Sequence, residues 1–286
     1  MTRYGCGSSA MAHARVRGWS RSWPSSAASR LTGSARTCSA ALGYLAAATA
    51  AQEGADAAGA LTGEARALLR AAGDEVGLAE VLLALGVAHG HRSEHAAARP
   101  ILEEVLALWR RLGNETGVML VDIMLADTLR VEGDAARAAR LYEEVLALSH
   151  ELGARGGRPG TLHSLGHAVL AQGEVGRARA LFAESLKLAL ELEDQGGVAE
   201  GLTGFAAVAA AEGRGERAAR LLGAATALWE GHNLLMWQAE RVEYERTLTR
   251  ARPQVDEATW QRAWDAGRAL TTDEAVAYAL EEPGDG

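Results

Sequence analysis

The sequence predicts an all-α, right-handed superhelical solenoid of stacked helical hairpins with a C-terminal helical cap. Three observations carry the prediction. A forty-residue period recurs in one register at Gly77, Gly117, Gly157 and Gly197, at Leu85, Leu125, Leu165 and Phe205, and at Ala98, Ala138, Ala178 and Ala218. A period of this length marks helical pairs that bury their apolar faces against neighbouring pairs. Ala, Leu, Arg and Glu dominate while aromatics make up only 5%, which is helix-forming material. No stretch alternates apolar and polar residues around β-branched side chains, so no sheet is predicted.

The elements follow in order. Residues 1–38 are rich in Ser, Arg, Gly and Trp and show no helical period. Three readings stand for this stretch: a disordered tail, a mistranslated frame of GC-rich DNA, or a transit-like peptide, since it is Arg- and Ser-rich and lacks acids. The GC bias shows in Lys187, the only lysine against 28 arginines. Residues 39–76 form a degenerate capping repeat, with a turn at Gly54 and a second helix ending at Gly73, forty residues before Gly113. The apolar run Ala40–Ala51 follows a cationic stretch far too long for the n-region of a signal peptide, and is assigned to the first helix of this repeat.

Four repeats occupy 77–233. Each first helix carries a small residue where two helices approach closely: Gly86, Ala126, Gly166 and Ala206. A tight turn follows at Ser93-Glu94, Gly133-Asp134, Gly173-Glu174 and Gly213-Arg214, the glycines allowing positive φ. The second helices hold the periodic alanines, with Leu102, Tyr142, Phe182 and Leu222 four positions later. That spacing puts both residues on one face, toward the paired helix. Pro100 falls near the end of the first turn of its helix, about where a missing N–H is last tolerated.

This small–turn–Ala–bulky order resembles the tetratricopeptide repeat in a forty-residue variant, clearly over 77–225 and weakly over 39–76. The remainder, 234–286, reads as a C-terminal helical cap. It has a helix at about 236–251, a break at Pro253, and helices at about 256–267 and 272–281, the last capped by Thr271 or Thr272. Trp260 and Trp264, one turn apart, are placed over the open end of the solenoid. The stretches ERAARLLGAATALWE, ERVEYERTLTRAR and WQRAWDAGRALTTDEAVAYALEE are similar to the end of bacterial LuxR-class and cyclase-linked ATP-binding signalling regulators. That resemblance implies a sensor region that follows a nucleotide-binding switch domain.

Several chemistries are excluded or disfavoured. There is no G-x-x-x-x-G-K-[ST] loop, so this polypeptide is not expected to bind ATP. No DNA-reading helix-turn-helix is recognisable. The net charge is −8, and it becomes −14 once the six arginines before Glu53 are set aside, which argues against direct nucleic-acid binding. No run of about 18 apolar residues exists to cross a membrane. Cys6 and Cys38 make neither a disulfide framework nor a zinc site, which fits a cytoplasmic protein. His163 and His167 share a helix face at i, i+4, a spacing at which two imidazoles can share a zinc ion. No carboxylate accompanies them at fixed spacing, so they are assigned to the groove, as is His91 beside His89 and His95. No catalytic, cofactor or metal site is predicted.

In the resembled fold the first helices line a concave groove. Helical period from the small packing residues places Glu80, Leu83, Val87 and His91 there, then Leu120, Ile123, Asp127 and Arg130, then His163 and His167, and Thr203. This mixed face suits an extended peptide or a helix. The expected function is a non-enzymatic interaction or sensor module of a bacterial signalling ATPase or transcriptional regulator, without its ATPase and DNA-binding parts. The alternatives are a stand-alone cytoplasmic adaptor for a peptide or protein partner and a His-based metal-dependent protein. No oligomeric state is predicted.

Overall fold

The structure, a computed structural model, describes residues 55–92, 94–153, 157–234, 236 and 238–281. The tail 1–38, with both cysteines, and the segment 39–54 lie outside the described residues, as does Ser93 of the first turn. Twelve α-helices are described, and there is no strand among the described residues. After α1 (Ala55–Ala72) come four hairpins. They pair α2 (Glu75–His91) with α3 (His95–Leu112), α4 (Glu115–Glu132) with α5 (Ala135–Glu151), α6 (Arg158–Ala171) with α7 (Val175–Glu191), and α8 (Gln195–Ala211) with α9 (Gly215–Gly231). From α1 to α9 each helix packs on the next along the chain, and α6 also touches α4 and α8.

Helix ends follow from local chemistry. Asp74, Asn114 and Asp194 cap α2, α4 and α8 by accepting from the amides of Gly77, Gly117 and Gly196, and Asp134 caps α5 through the Arg137 amide. Gly73, Gly113 and Gly153 end helices in the left-handed region at φ 66°, 67° and 66°. Glu193 at φ 55° and Asn233 at 50° hold the next two places of the same forty-residue register. Gly133, Gly173 and Gly213 supply the positive φ of the turns inside the hairpins, at 94°, 86° and 78°.

The periodic glycines at the starts of the first helices act differently. A Cβ on Gly117 would stand 2.8 Å from the Trp109 ring, so this glycine lets α4 close onto α3. Ala98, Ala138, Ala178 and Ala218 are fully buried, and so are Leu102, Tyr142, Phe182 and Leu222. Phe182 lies between Gly166 and Gly204, and a Cβ at either position would run into its ring. Helix α3 starts at His95 and runs through Pro100, which therefore lies past the first turn. Its missing N–H removes only the bond to the Ala96 carbonyl, and both residues are exposed, so water can take the amide's place.

The C-terminal segment divides its work. Helix α10 (Gln238–Ala251) is followed by a 3₁₀ turn (Arg252–Gln254) containing Pro253, then α11 (Glu257–Arg268) and α12 (Thr272–Leu280). Thr271 and Glu274 form a reciprocal capping box on α12. Helix α11 packs on α9, where Gly267 faces the Arg220 carbonyl and Gly223 faces that of Trp264, with no room for a Cβ at either. Trp260 is buried there and stacks on Trp264, ring centroids 6.2 Å apart. Helix α12 rests on α8 and α9, and Arg217 donates to the carbonyls of Tyr278 and Ala279 at its C-terminal end. Helix α10 instead turns back against α8, α9 and α4, along the side formed by the first helices.

Candidate functional site: a buried polar face under helix α10

The first helices present an unusual inner face. Tertiary helix contacts are normally apolar, yet Arg130 of α4, His163 and His167 of α6 and Thr203 of α8 are all buried. Buried polar groups must find partners. Here most of those partners come from α10. Its buried positions Glu240, Glu243, Thr247 and Ala251 fall at helical spacing and make one stripe facing the groove.

Two clusters result. In the first, Glu240 Oε2 lies 2.8 Å from His163 Nε2, and the Thr203 hydroxyl donates to Glu240 Oε1 at 2.8 Å. His167 Nε2 is 3.2 Å from His163 Nε2, and both rings pack on Phe182 at centroid distances of 5.0 and 5.4 Å. In the second cluster, Arg130 Nη1 donates to Glu243 Oε1 at 2.5 Å and its Nε to the Tyr142 hydroxyl at 3.3 Å. Tyr142 in turn donates to Asp127 Oδ1 at 2.6 Å. Arg246 covers the outer side, donating to Glu243 Oε1 at 2.8 Å. The clusters meet where His167 Nδ1 stands 3.7 Å from Glu243 Oε2.

Burial and charge split the titrations of these groups. Burial works against the charged form of His163, but the charge and hydrogen bond of Glu240 outweigh it and hold its pKa above the ordinary value. For His167 the charge of Glu240 is not enough: burial, then the neighbouring His163, push it well down. Glu240 is depressed despite its burial because His163 and the Thr203 hydroxyl favour the carboxylate. Glu200, beside this cluster, is pushed up to about 7 by burial. Arg130 stays charged, since Tyr142, Asp127 and Glu243 together outweigh its desolvation. The arrangement holds a helix through charge-assisted bonds. His163, His167 and Glu240 are also the one group of metal-ligating residues found together among the described residues, with ligand atoms within 4.8 Å of one another.

The remaining groove candidates lie apart from α10's polar stripe. Glu80, Leu83, Val87 and Ile123 are half-buried, Leu120 is 47% exposed, and Asp127 is half-buried at the edge of the second cluster. His91 ends α2, and its side chain lies outside the described residues. Its neighbour His89 is buried, with Nδ1 2.8 Å from Glu94 Oε2 across the turn. Sequence reasoning did not single out Glu240 and Glu243. The signal available was an E-x-x-E pair followed by Thr247, continuing at helical spacing through a helix with few apolar residues.

No protein-family model matches the chain. Among curated proteins it is similar to putative HTH-type transcriptional regulators of Mycobacterium bovis and Mycobacterium tuberculosis, 38% identical over 66 residues. The match takes in 23% of this chain and spans 8% of the length of those regulators. Among solved structures it is similar to a putative kinesin light chain of Podosopora anserina with nearly identical TPR-like repeats. That likeness has a TM-score of 0.56 at 19% identity, over 71% of this chain and 99% of the other. BtubC (BKLC) from P. vanneervenii aligns with a TM-score of 0.51 at 18% identity, over 79% and 91% of the two chains. The fold is a tetratricopeptide-like helical solenoid. None of the described helices is long and apolar enough to cross a membrane.

Proposed function

We propose that this chain is a non-enzymatic protein-interaction module, the sensor part of a bacterial signalling ATPase or transcriptional regulator, whose concave face takes a helix or an extended peptide in the cytoplasm. The observation that carries the reading is α10 itself: the inner face of the repeats accepts a helix through buried, charge-assisted bonds. The similarity to HTH-type regulators supports the narrower assignment to transcriptional control. The acidic balance beyond residue 53 favours a protein partner over nucleic acid.

The partner's place is the part of the face outside α10's polar stripe, around Leu83, Val87, Leu120 and Ile123. A photo-crosslinking residue at Leu120 should capture the partner in cells of the source organism, and mass spectrometry would name it. Ile123→Arg should then weaken its binding at least tenfold with unchanged helicity by circular dichroism, because a buried unpaired charge replaces an apolar contact. Undiminished affinity would move the interface to the convex side or the cap. The stand-alone adaptor reading shares this groove but not the switch domain. Translating the coding DNA upstream of codon 39 in all frames separates the two: a frame continuing into a phosphate-binding glycine loop supports the sensor assignment, and stops in every other frame support the adaptor.

A further inference from the structure

The meeting point of α6 and α10 holds more than a helix-docking bond. Three potential ligand atoms converge on one small volume: His163 Nε2, His167 Nε2 and Glu240 Oε2. Four ligands about 2.0–2.1 Å from a tetrahedral zinc ion stand about 3.3 Å from one another. The two imidazole nitrogens are 3.2 Å apart and the His163–Glu240 pair 2.8 Å, near such edges, while the His167–Glu240 edge lies within 4.8 Å, so an ion would have to draw the three side chains into place. In the present arrangement His163 Nε2 lies within hydrogen-bonding distance of both Glu240 Oε2 and His167 Nε2.

The surroundings supply part of the outer shell of a metal ligand set, although His163 Nδ1 is buried without a hydrogen-bond partner. Metal-bound imidazoles commonly present their other nitrogen to a carboxylate, and ligating carboxylates are themselves hydrogen-bonded. Behind His167, Nδ1 stands 3.7 Å from Glu243 Oε2, beyond a direct hydrogen bond, so this carboxylate acts on the ring through its charge. Behind Glu240, the Thr203 hydroxyl holds Oε1 and leaves Oε2 for the ion. The buried cation Arg130 is held by Glu243, Asp127 and Tyr142. Asp127, Glu240 and Glu243 outnumber Arg130 and the exposed Arg246 by one, so a divalent ion would enter a site of net negative charge once His163 is neutral.

We propose that His163, His167 and Glu240 form a binding site for a divalent transition-metal ion of the zinc class, tying α10 to the third repeat. Two imidazoles and one carboxylate select zinc, cobalt, nickel or copper over magnesium and calcium. On binding, His163 in its imidazolium form releases its Nε2 proton to solvent and keeps Nδ1–H, so both imidazoles coordinate as neutral ligands. The ion replaces that proton as the link between α6 and α10.

The test uses the tag-free full chain, stripped with chelator and titrated with Zn²⁺ by calorimetry and with Co²⁺ followed by visible absorption. The expected result is one ion per chain, a tetrahedral Co²⁺ spectrum and a Zn²⁺-dependent rise in Tm. His167→Ala and Glu240→Gln should each weaken binding by at least about 100-fold, and Thr203→Val, which touches no ion, by about tenfold. His150→Ala, at an exposed histidine of α5, should leave it unchanged. Because Glu240→Gln also disturbs α10, the Thr203→Val and His167→Ala affinities are measured alongside far-UV helicity. No binding by the parent chain, or binding that His167→Ala leaves intact while the fold persists, overturns the site. These readouts need no protein partner, so their failure is separate from failure of the interaction reading.

Discussion

Single residues show where the repeat tolerates departures from its own pattern. Glu193 stands in the left-handed helix-ending place that glycine fills at 73, 113 and 153. A side chain there costs energy that glycine avoids. Glu193→Gly should therefore stabilise the chain by about 0.5–1 kcal/mol, read as a rise in Tm or in the denaturant midpoint. Glu80 carries a different burden. Burial, with the negative charge of Asp74 nearby, raises its pKa from 4.5 to about 7. Below pH 4.5 the group is protonated in both folded and unfolded chains and contributes no difference. Between 4.5 and 7 the unfolded chain gives up the proton while the folded chain retains it, so stability falls with rising pH and levels off above 7. Glu80→Gln should thus gain nothing over the parent chain at pH 4 and about 1 kcal/mol at pH 8, the half-buried site being partly screened by solvent. A pH-independent difference between the two unfolding curves would contradict this assignment.

At the scale of elements, glycines decide which helices can touch. Helices α9 and α11 cross with backbone against backbone at Gly223 and Gly267. Gly267→Ala drives a methyl group into the Arg220 carbonyl and should cost about 2–3 kcal/mol. Amide exchange should quicken in α11 and α12 first, leaving α4–α7 protected. Uniform protection throughout would show that the crossing can relax. The repeat helices were legible in sequence because alanine, glycine and bulky residues recur at fixed offsets dictated by close packing. The break at Pro253 and the Thr271 cap were legible for the same local reasons. The path of α10 was not. Its buried stripe is Glu240, Glu243 and Thr247, which by composition reads as a solvated face, and only its counterparts 77 and 113 residues earlier, His163 and Arg130, make it an interior one. Pairing of that range carries no periodic trace.

Across the whole molecule the apolar interior is divided. One cluster runs from Ala65 to Leu125 and a larger one from Ala126 to Ala279, and they meet within α4. The larger is reinforced by the buried polar contacts under α10, whereas the smaller includes no residue of the C-terminal helices. A solenoid's stability is close to a sum over repeats and their interfaces. Helices α1–α3 should accordingly exchange their amides faster than α6–α9, and Trp109 fluorescence should change at lower denaturant than that of Trp229 and Trp260. Coincident transitions would mean that the junction in α4 couples the halves fully.

The return of α10 into the groove sets a threshold for anything else that would bind there. Joined to α9 by residues 232–237, it is presented to the inner face at an effective concentration on the order of millimolar. A free helix of equal intrinsic strength would have to reach that concentration to displace it. Any partner directed at the covered stretch would therefore compete with a helix that never diffuses away.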